Sequence, residues 1–127
     1  MKFKAANMEM EFWVLDPKLR LILCDMDYWA ARHGKEIVVT SLMRSLAEQA
    51  ALYDAKEAPS PYSVHCDGRG ADIRLLDGEH VNLLLQMYIE EKYKPYDEHR
   101  LHKPVVLIHG GTGEHIHVQV MPTTKEE

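Results

Sequence analysis

The residues with the clearest capacity for chemistry near the C-terminus are two histidines and a glutamate. His115 and His117 alternate with Ile116 and Val118, so a strand here would present both imidazoles on one face and the apolar side chains on the other. Glu114 precedes them, directly after a glycine-rich stretch. Two imidazoles on one strand face are more often solvated surface residues than a binding site. The hypothesis of a binding site therefore requires further ligand atoms from a second segment of the chain.

That second segment runs from Ser63 to Asp72 and places a histidine before a glycine-containing turn and an aspartate after it. His65 and Asp72 could converge from the two ends of this bend. Asp72 lies between Ala71 and Ile73 in a half-buried strand, and a buried carboxylate must be paired or bind a cation. An ion pair with an arginine is one solution. The other is zinc, because imidazole and carboxylate are zinc ligands and three protein ligands with an open fourth position are typical of catalytic sites.

Together these segments resemble a family of zinc peptidases. The pattern SxHxxGxxxD over 63–72, followed by ExxH over 114–117, is similar to that of D-alanyl-D-alanine carboxypeptidases, the VanX and VanY enzymes and phage L-alanyl-D-glutamate endolysins. These proteins share a fold with the hedgehog signalling domain. The segment VTSLMRSLAEQ over 39–49 also resembles the family's strand, arginine and helix. The three motifs occur in the family's order across residues 38–118.

The resemblance implies a metal site as well as a fold. His65, Asp72 and His117 would bind Zn²⁺. His115 could replace His117 as a ligand, or form a hydrogen bond beside the metal site. Ile116 stands where the family often has an aromatic residue, a departure that concerns the shape of the substrate site more than metal binding.

The resemblance also implies catalytic and substrate-binding residues. Glu114 would be the base that takes a proton from water and passes it to the leaving amine. Arg44 would stabilise the developing oxyanion or anchor a substrate carboxylate. Ser63 and Gln49 match positions that line the substrate site.

The elements that must position these residues predict an α+β fold with a small, mostly antiparallel sheet and flanking helices. The resemblance implies that this fold is of the hedgehog and DD-peptidase type. Asp16-Pro17 is a helix start, and apolar residues at helical spacing follow it as far as Gly34. A capping box begins a second helix at Ser45. The remaining predictions are a strand over 36–42, a loop over 55–64, a strand over 70–76, a helix over 79–94, and a hairpin of strands 104–109 and 115–121 joined by GGTG.

The length and composition predict a single domain over 1–127, which by the resemblance would be a zinc peptidase domain. A hydrophobic fraction of 46% and a charged fraction of 28% are ordinary for a soluble globular chain. A net charge of -5 without a basic cluster argues against nucleic acid as a partner. We expect no membrane association, because no stretch approaches ~20 consecutive apolar residues. Cys24 and Cys66 are expected to be reduced thiols.

The resemblance implies a zinc-dependent peptidase that hydrolyses peptidoglycan stem peptides, as an L-alanyl-D-glutamate endopeptidase or a D,D-carboxypeptidase, and we expect it to be a monomer. No signal-peptide core is visible in the first residues, which favours a phage endolysin that stays cytoplasmic until it is released to the cell wall. The acidic net charge is unfavourable for an anionic wall. The alternative is a non-catalytic metal-binding module or a virion-associated component with the same fold.

Overall fold

The computed structural model describes residues 1–42, 68–97, 103–109 and 114–122, and within these ranges the fold is α+β. Five strands and three α-helices are present there. Their bounds are β1 (Lys2–Phe3), α1 (Asn7–Phe12), α2 (Pro17–Arg32), β2 (Val38–Ser41), β3 (Gly70–Ile73), α3 (Val81–Tyr93), a 3₁₀ turn (Lys94–Tyr96), β4 (Val106–His109) and β5 (His115–Gln119).

The five strands form one mixed sheet in the order β1-β2-β3-β5-β4. Only the β1–β2 pair is parallel, and the other three pairs are antiparallel. The two strands of the predicted C-terminal hairpin are present as the antiparallel pair β4 and β5, with β5 also paired to β3, and the predicted GGTG connection lies outside the described residues. β5 is therefore an interior strand of the sheet, and residues on it have a neighbouring strand on both sides.

Helix α2 forms where the sequence predicts it. Asp16 caps its first turn, because the carboxylate oxygen accepts a hydrogen bond from the Lys18 amide at 2.9 Å, and Pro17 occupies the first helical position. Gly34, with a φ of 69°, follows the end of the helix and adopts the left-handed conformation that glycine tolerates best. The buried face of α2 comprises Leu19, Ile22, Leu23, Met26 and Ala30.

Helix α3 differs from its prediction at the start and in one core position. His80 has a φ of 66°, outside helical geometry, so the helix begins at Val81 rather than Glu79. The spacing of the apolar residues over 79–94 predicts a buried face that includes Leu84 together with Leu85, but Leu84 is 52% exposed. The reason is that the buried residues recur at every fourth position, and Leu84 lies one residue away from that row. The row consists of Val81, Leu85, Ile89 and Tyr93.

The predicted strand over 70–76 ends at Ile73. The backbone N–H and C=O of Leu76 bond to the side chain of Asn82, at 2.8 and 2.9 Å, instead of to a neighbouring strand. This turns the chain from the sheet into α3. The N-terminal elements β1 and α1 were not predicted from the sequence, and the predicted helix from Ser45 and the loop over 55–64 lie outside the described residues.

One face of the sheet packs into the core with α2 and α3. Strand alternation places apolar side chains of the four longer strands on this face, and most of them are almost completely buried. The opposite face carries polar side chains from β3 and β5. The core-facing set from the four longer strands includes Val39, Ala71, Ile73, Val106, Ile116 and Val118.

Candidate metal centre

The polar face of the sheet brings together the aspartate and the two histidines that the sequence singled out. In the antiparallel pairing of β3 and β5, Asp72 lies directly opposite His117. His115 is two residues away from His117 on the same strand and therefore shares its face. The register thus gathers one carboxylate and two imidazoles from segments more than forty residues apart.

The three side chains are within contact distance of one another through a single carboxylate oxygen. Asp72 Oδ1 is 2.9 Å from Nδ1 of His117 and 3.4 Å from Nε2 of His115. The exposed fractions of the side chains are 16% for Asp72, 15% for His117 and 20% for His115. The cluster is thus partly shielded from water, and small groups can still reach it.

The backbone around Asp72 is fixed from the neighbouring strand. The pairing of β2 with β3 shifts between Val39 and Ser41, so that Thr40 is the extra residue of an irregularity of β-bulge type. The Thr40 hydroxyl donates a hydrogen bond to the Asp72 carbonyl at 3.2 Å. This bond holds the main chain of Asp72 while its carboxylate remains directed at the histidines.

Glu114 is exposed and immediately precedes the first residue of β5. Its backbone therefore does not follow the strand alternation that separates residues three apart onto opposite faces. Strand pairing therefore does not set the direction of the Glu114 side chain.

The other predicted site residues lie outside the described residues. These are the metal ligand His65, the catalytic Arg44 and the substrate-binding Ser63 and Gln49. Cys66 lies there too, whereas Cys24 is a free, exposed thiol on α2.

A fourth polar residue of this face was not assigned a role from the sequence. Gln119 is 4% exposed, and its Oε1 lies 2.9 Å from Nε2 of His117. The signal was present in the sequence, because alternation places Gln119 on the face of His115 and His117. Its burial and its bond to His117 depend on the assembled sheet.

The donor set fits zinc in its chemistry. An ionised Asp72 carboxylate can only accept, so Nδ1 of His117, 2.9 Å from Oδ1, either donates a hydrogen bond to that oxygen or, once deprotonated, shares a cation with it. Within the described ranges, no group of three or more histidine, cysteine or acidic side chains could hold a metal by itself. His65, the third ligand of the prediction, lies outside those ranges.

Comparisons of the chain with protein-family models, with curated proteins and with solved structures found no match. Among the described helices, none is long and apolar enough to cross a membrane.

Proposed function

We propose that this protein is a zinc-dependent peptidase that hydrolyses stem peptides of peptidoglycan. The observation that carries the proposal is the convergence of Asp72 and His117 across β3 and β5, at 2.9 Å, on a partly shielded polar face. The motif resemblance identifies the same two residues as ligands from the sequence alone, without reference to the sheet register. The motifs and the strand pairing thus support the same pair of residues independently.

The remaining roles follow the same motifs. His65 would be the third ligand, and zinc, when bound, would supply a Lewis acid that polarises the scissile carbonyl and lowers the pKa of water. Glu114 would accept the proton of the attacking water and deliver it to the leaving amine. Arg44 would stabilise the negative oxygen that develops on the scissile carbonyl.

The substrate class rests on the resemblance alone. Within the family, the short catalytic domain acts on peptides that contain D-amino acids, so purified muropeptides are the substrates to test. The choice between the endopeptidase and carboxypeptidase modes is read from the products, because the first releases a peptide and the second a single terminal residue.

The experiment is digestion of purified muropeptides with the zinc-loaded full chain, followed by mass spectrometry of the products. Glu114→Gln is the matched control, because it removes the base and preserves the size of the side chain. We expect cleavage by the wild type and a loss of about 10²- to 10⁴-fold in Glu114→Gln, with zinc retained in both. A zinc-loaded wild type that leaves all muropeptides intact would support the non-catalytic alternative.

A further inference from the structure

The polar face of the sheet changes from closed to open along the strands. At the closed end, Gly70 on β3 and its partner Gln119 on β5 are buried, and so is Val105, whose carbonyl accepts a hydrogen bond from the backbone N–H of Gln119 at 2.9 Å. The adjacent row of side chains, two residues away on each of these segments, is partly or largely exposed. This open row crosses four paired strands and consists of Ser41, Asp72, His117 and Leu107.

Leu107 is the apolar member of the open row. It pairs with His117 across β4 and β5 and therefore lies on the face of that imidazole, and it is 42% exposed. Its neighbours in β4, Val106 and Ile108, pack into the core instead. Among the described residues, Leu107 is the one large apolar side chain of a strand that is exposed. An apolar surface is therefore available to a ligand beside His117.

The distance of Leu107 from the candidate metal centre suits contact with a substrate held there. Directly opposed residues of antiparallel strands have Cβ atoms about 4.5–5.5 Å apart, so Leu107 is one strand spacing beyond His117. Under the proposed function, the scissile carbonyl is held over Asp72 and His117. Successive residues of an extended peptide are ~3.3 Å apart, so a side chain that flanks this carbonyl can reach Leu107.

We propose that Leu107 is a specificity-determining residue, which forms an apolar subsite for the methyl group of the alanine whose carbonyl is attacked. The inference rests on the proposed function and specifies the substrate residue that the site selects. In both bonds that the resemblance names, L-alanyl-D-glutamate and D-alanyl-D-alanine, the carbonyl belongs to an alanine. The leaving residue is acidic in the first of these bonds, so an apolar subsite common to both lies on the carbonyl side.

The test compares alanine with glycine in the same stem peptide. The probes are L-alanyl-γ-D-glutamyl-L-lysyl-D-alanyl-D-alanine and two versions in which glycine replaces its first or its fourth residue, so that either bond is covered. For the bond that the zinc-loaded full chain cleaves, we expect kcat/KM to be about 4- to 10-fold higher with alanine than with glycine, because one methyl group packs against an apolar surface. Dissociation constants of the same peptides, measured by isothermal titration calorimetry on the metal-free chain, give a readout that does not depend on cleavage.

Substitution of Leu107 should remove this preference selectively. In Leu107→Ser the ratio of the two kcat/KM values should fall to about 1, because the glycine peptide has no methyl group to lose, whereas Leu107→Met should keep the preference. A purely structural role of Leu107 would lower kcat/KM equally for both peptides. Leu84→Ser is the matched control and should behave like the wild type, because Leu84 is exposed to a similar extent but lies on α3.

The outcomes separate the subsite from the proposed function. A wild type that cleaves the alanine and glycine peptides equally well, or a preference that persists in Leu107→Ser, overturns the subsite and leaves the proposed function intact. If the wild type cleaves no peptide, but the metal-free chain binds the alanine peptide more tightly and Leu107→Ser removes the difference, the proposed function fails and the subsite stands. If the wild type neither cleaves nor binds the peptides, both proposals are wrong. Thermal unfolding curves check each variant, and Leu107→Gln replaces Leu107→Ser if the latter does not fold.

Discussion

At the scale of the residue, the main feature is one carboxylate oxygen shared by two imidazoles. Asp72 Oδ1 is closer to His117 than to His115, by 2.9 against 3.4 Å. Both imidazole rings are buried to a similar extent, so the two histidines differ in their distance from Asp72 rather than in their exposure. His117 also has Gln119 behind it, which fixes the orientation of the ring from the side away from Asp72. These contacts favour His117 as the metal ligand and His115 as a group that supports Asp72.

Metal content should separate the two histidines. Because a ligand contributes directly to metal binding and a supporting hydrogen bond only tunes it, we expect His117→Ala to lose zinc. His115→Ala should retain zinc with affinity weaker by about 10- to 100-fold. Zinc per chain is measured on both preparations after identical dialysis, with His33→Ala, on α2, as the control. Loss of zinc in His115→Ala together with full zinc in His117→Ala would reverse the assignment.

At the scale of the element, a polar cluster joins the two core helices. Asp25 on α2 accepts hydrogen bonds from the hydroxyls of Tyr88 and Tyr93 and from the ammonium of Lys92, all on α3, at 3.0, 2.5 and 2.7 Å. The Asp25 side chain is only 10% exposed. Burial by itself would raise the pKa of Asp25, but these bonds outweigh it and the pKa lies below its ordinary value.

Removal of this carboxylate should destabilise the protein in a pH-dependent way. Asp25→Ala loses three hydrogen bonds to a charged group, and we expect the free energy of unfolding near neutral pH to fall by about 2 to 3 kcal/mol. A lowered folded-state pKa means that the ionised carboxylate stabilises the fold above its unfolded pKa of ~3.9, and that this stabilisation disappears as the pH falls through the folded-state pKa. The gap between wild type and variant should therefore close in acid.

Urea unfolding curves between neutral and acidic pH measure this gap. Glu91→Gln, which changes an exposed carboxylate on α3, is the control and should change stability by no more than about 0.5 kcal/mol. A difference between Asp25→Ala and the wild type that stays constant down to the lowest pH would show that the carboxylate's charge has no part in joining the helices.

At the scale of the whole molecule, the sheet is asymmetric. Its apolar face is sealed by α2 and α3, and its polar face carries the candidate metal centre. The hydrophobic core and the candidate metal centre thus lie on opposite faces of one sheet. The core side supplies the rigidity that keeps β3 and β5 in the register on which the meeting of Asp72 and His117 depends.

A matched pair of substitutions on α3 tests where the stability lies. Ile89→Ala and Leu83→Ala remove similar side-chain volumes from the same helix. Ile89 is fully buried and Leu83 is 51% exposed, so only the substitution of Ile89 leaves a cavity. We expect Ile89→Ala to lower the free energy of unfolding by about 2 to 5 kcal/mol. Leu83→Ala should change it by no more than about 0.5 kcal/mol. Equal effects in denaturant unfolding would contradict this assignment of the core face.

Some features of the fold were decided by the sequence alone, because their causes are local. The proline and capping aspartate at the start of α2, and the apolar spacing that follows, act within a few residues and predicted that helix correctly. The alternation in β5 likewise predicted which face carries His115 and His117. The α+β class follows from the sum of such local patterns.

Other features required the tertiary structure, because they depend on pairing between distant segments. Leu84 is as apolar as Leu85, but it is exposed because α3 packs against the core with the neighbouring row of residues, which includes Leu85. No local pattern sets the register that places Asp72 opposite His117, or brings Asp25 to two tyrosines of another helix. Gln119 depends on both: alternation in β5 placed it on the face of His117, two residues away, and only the assembled sheet buried it.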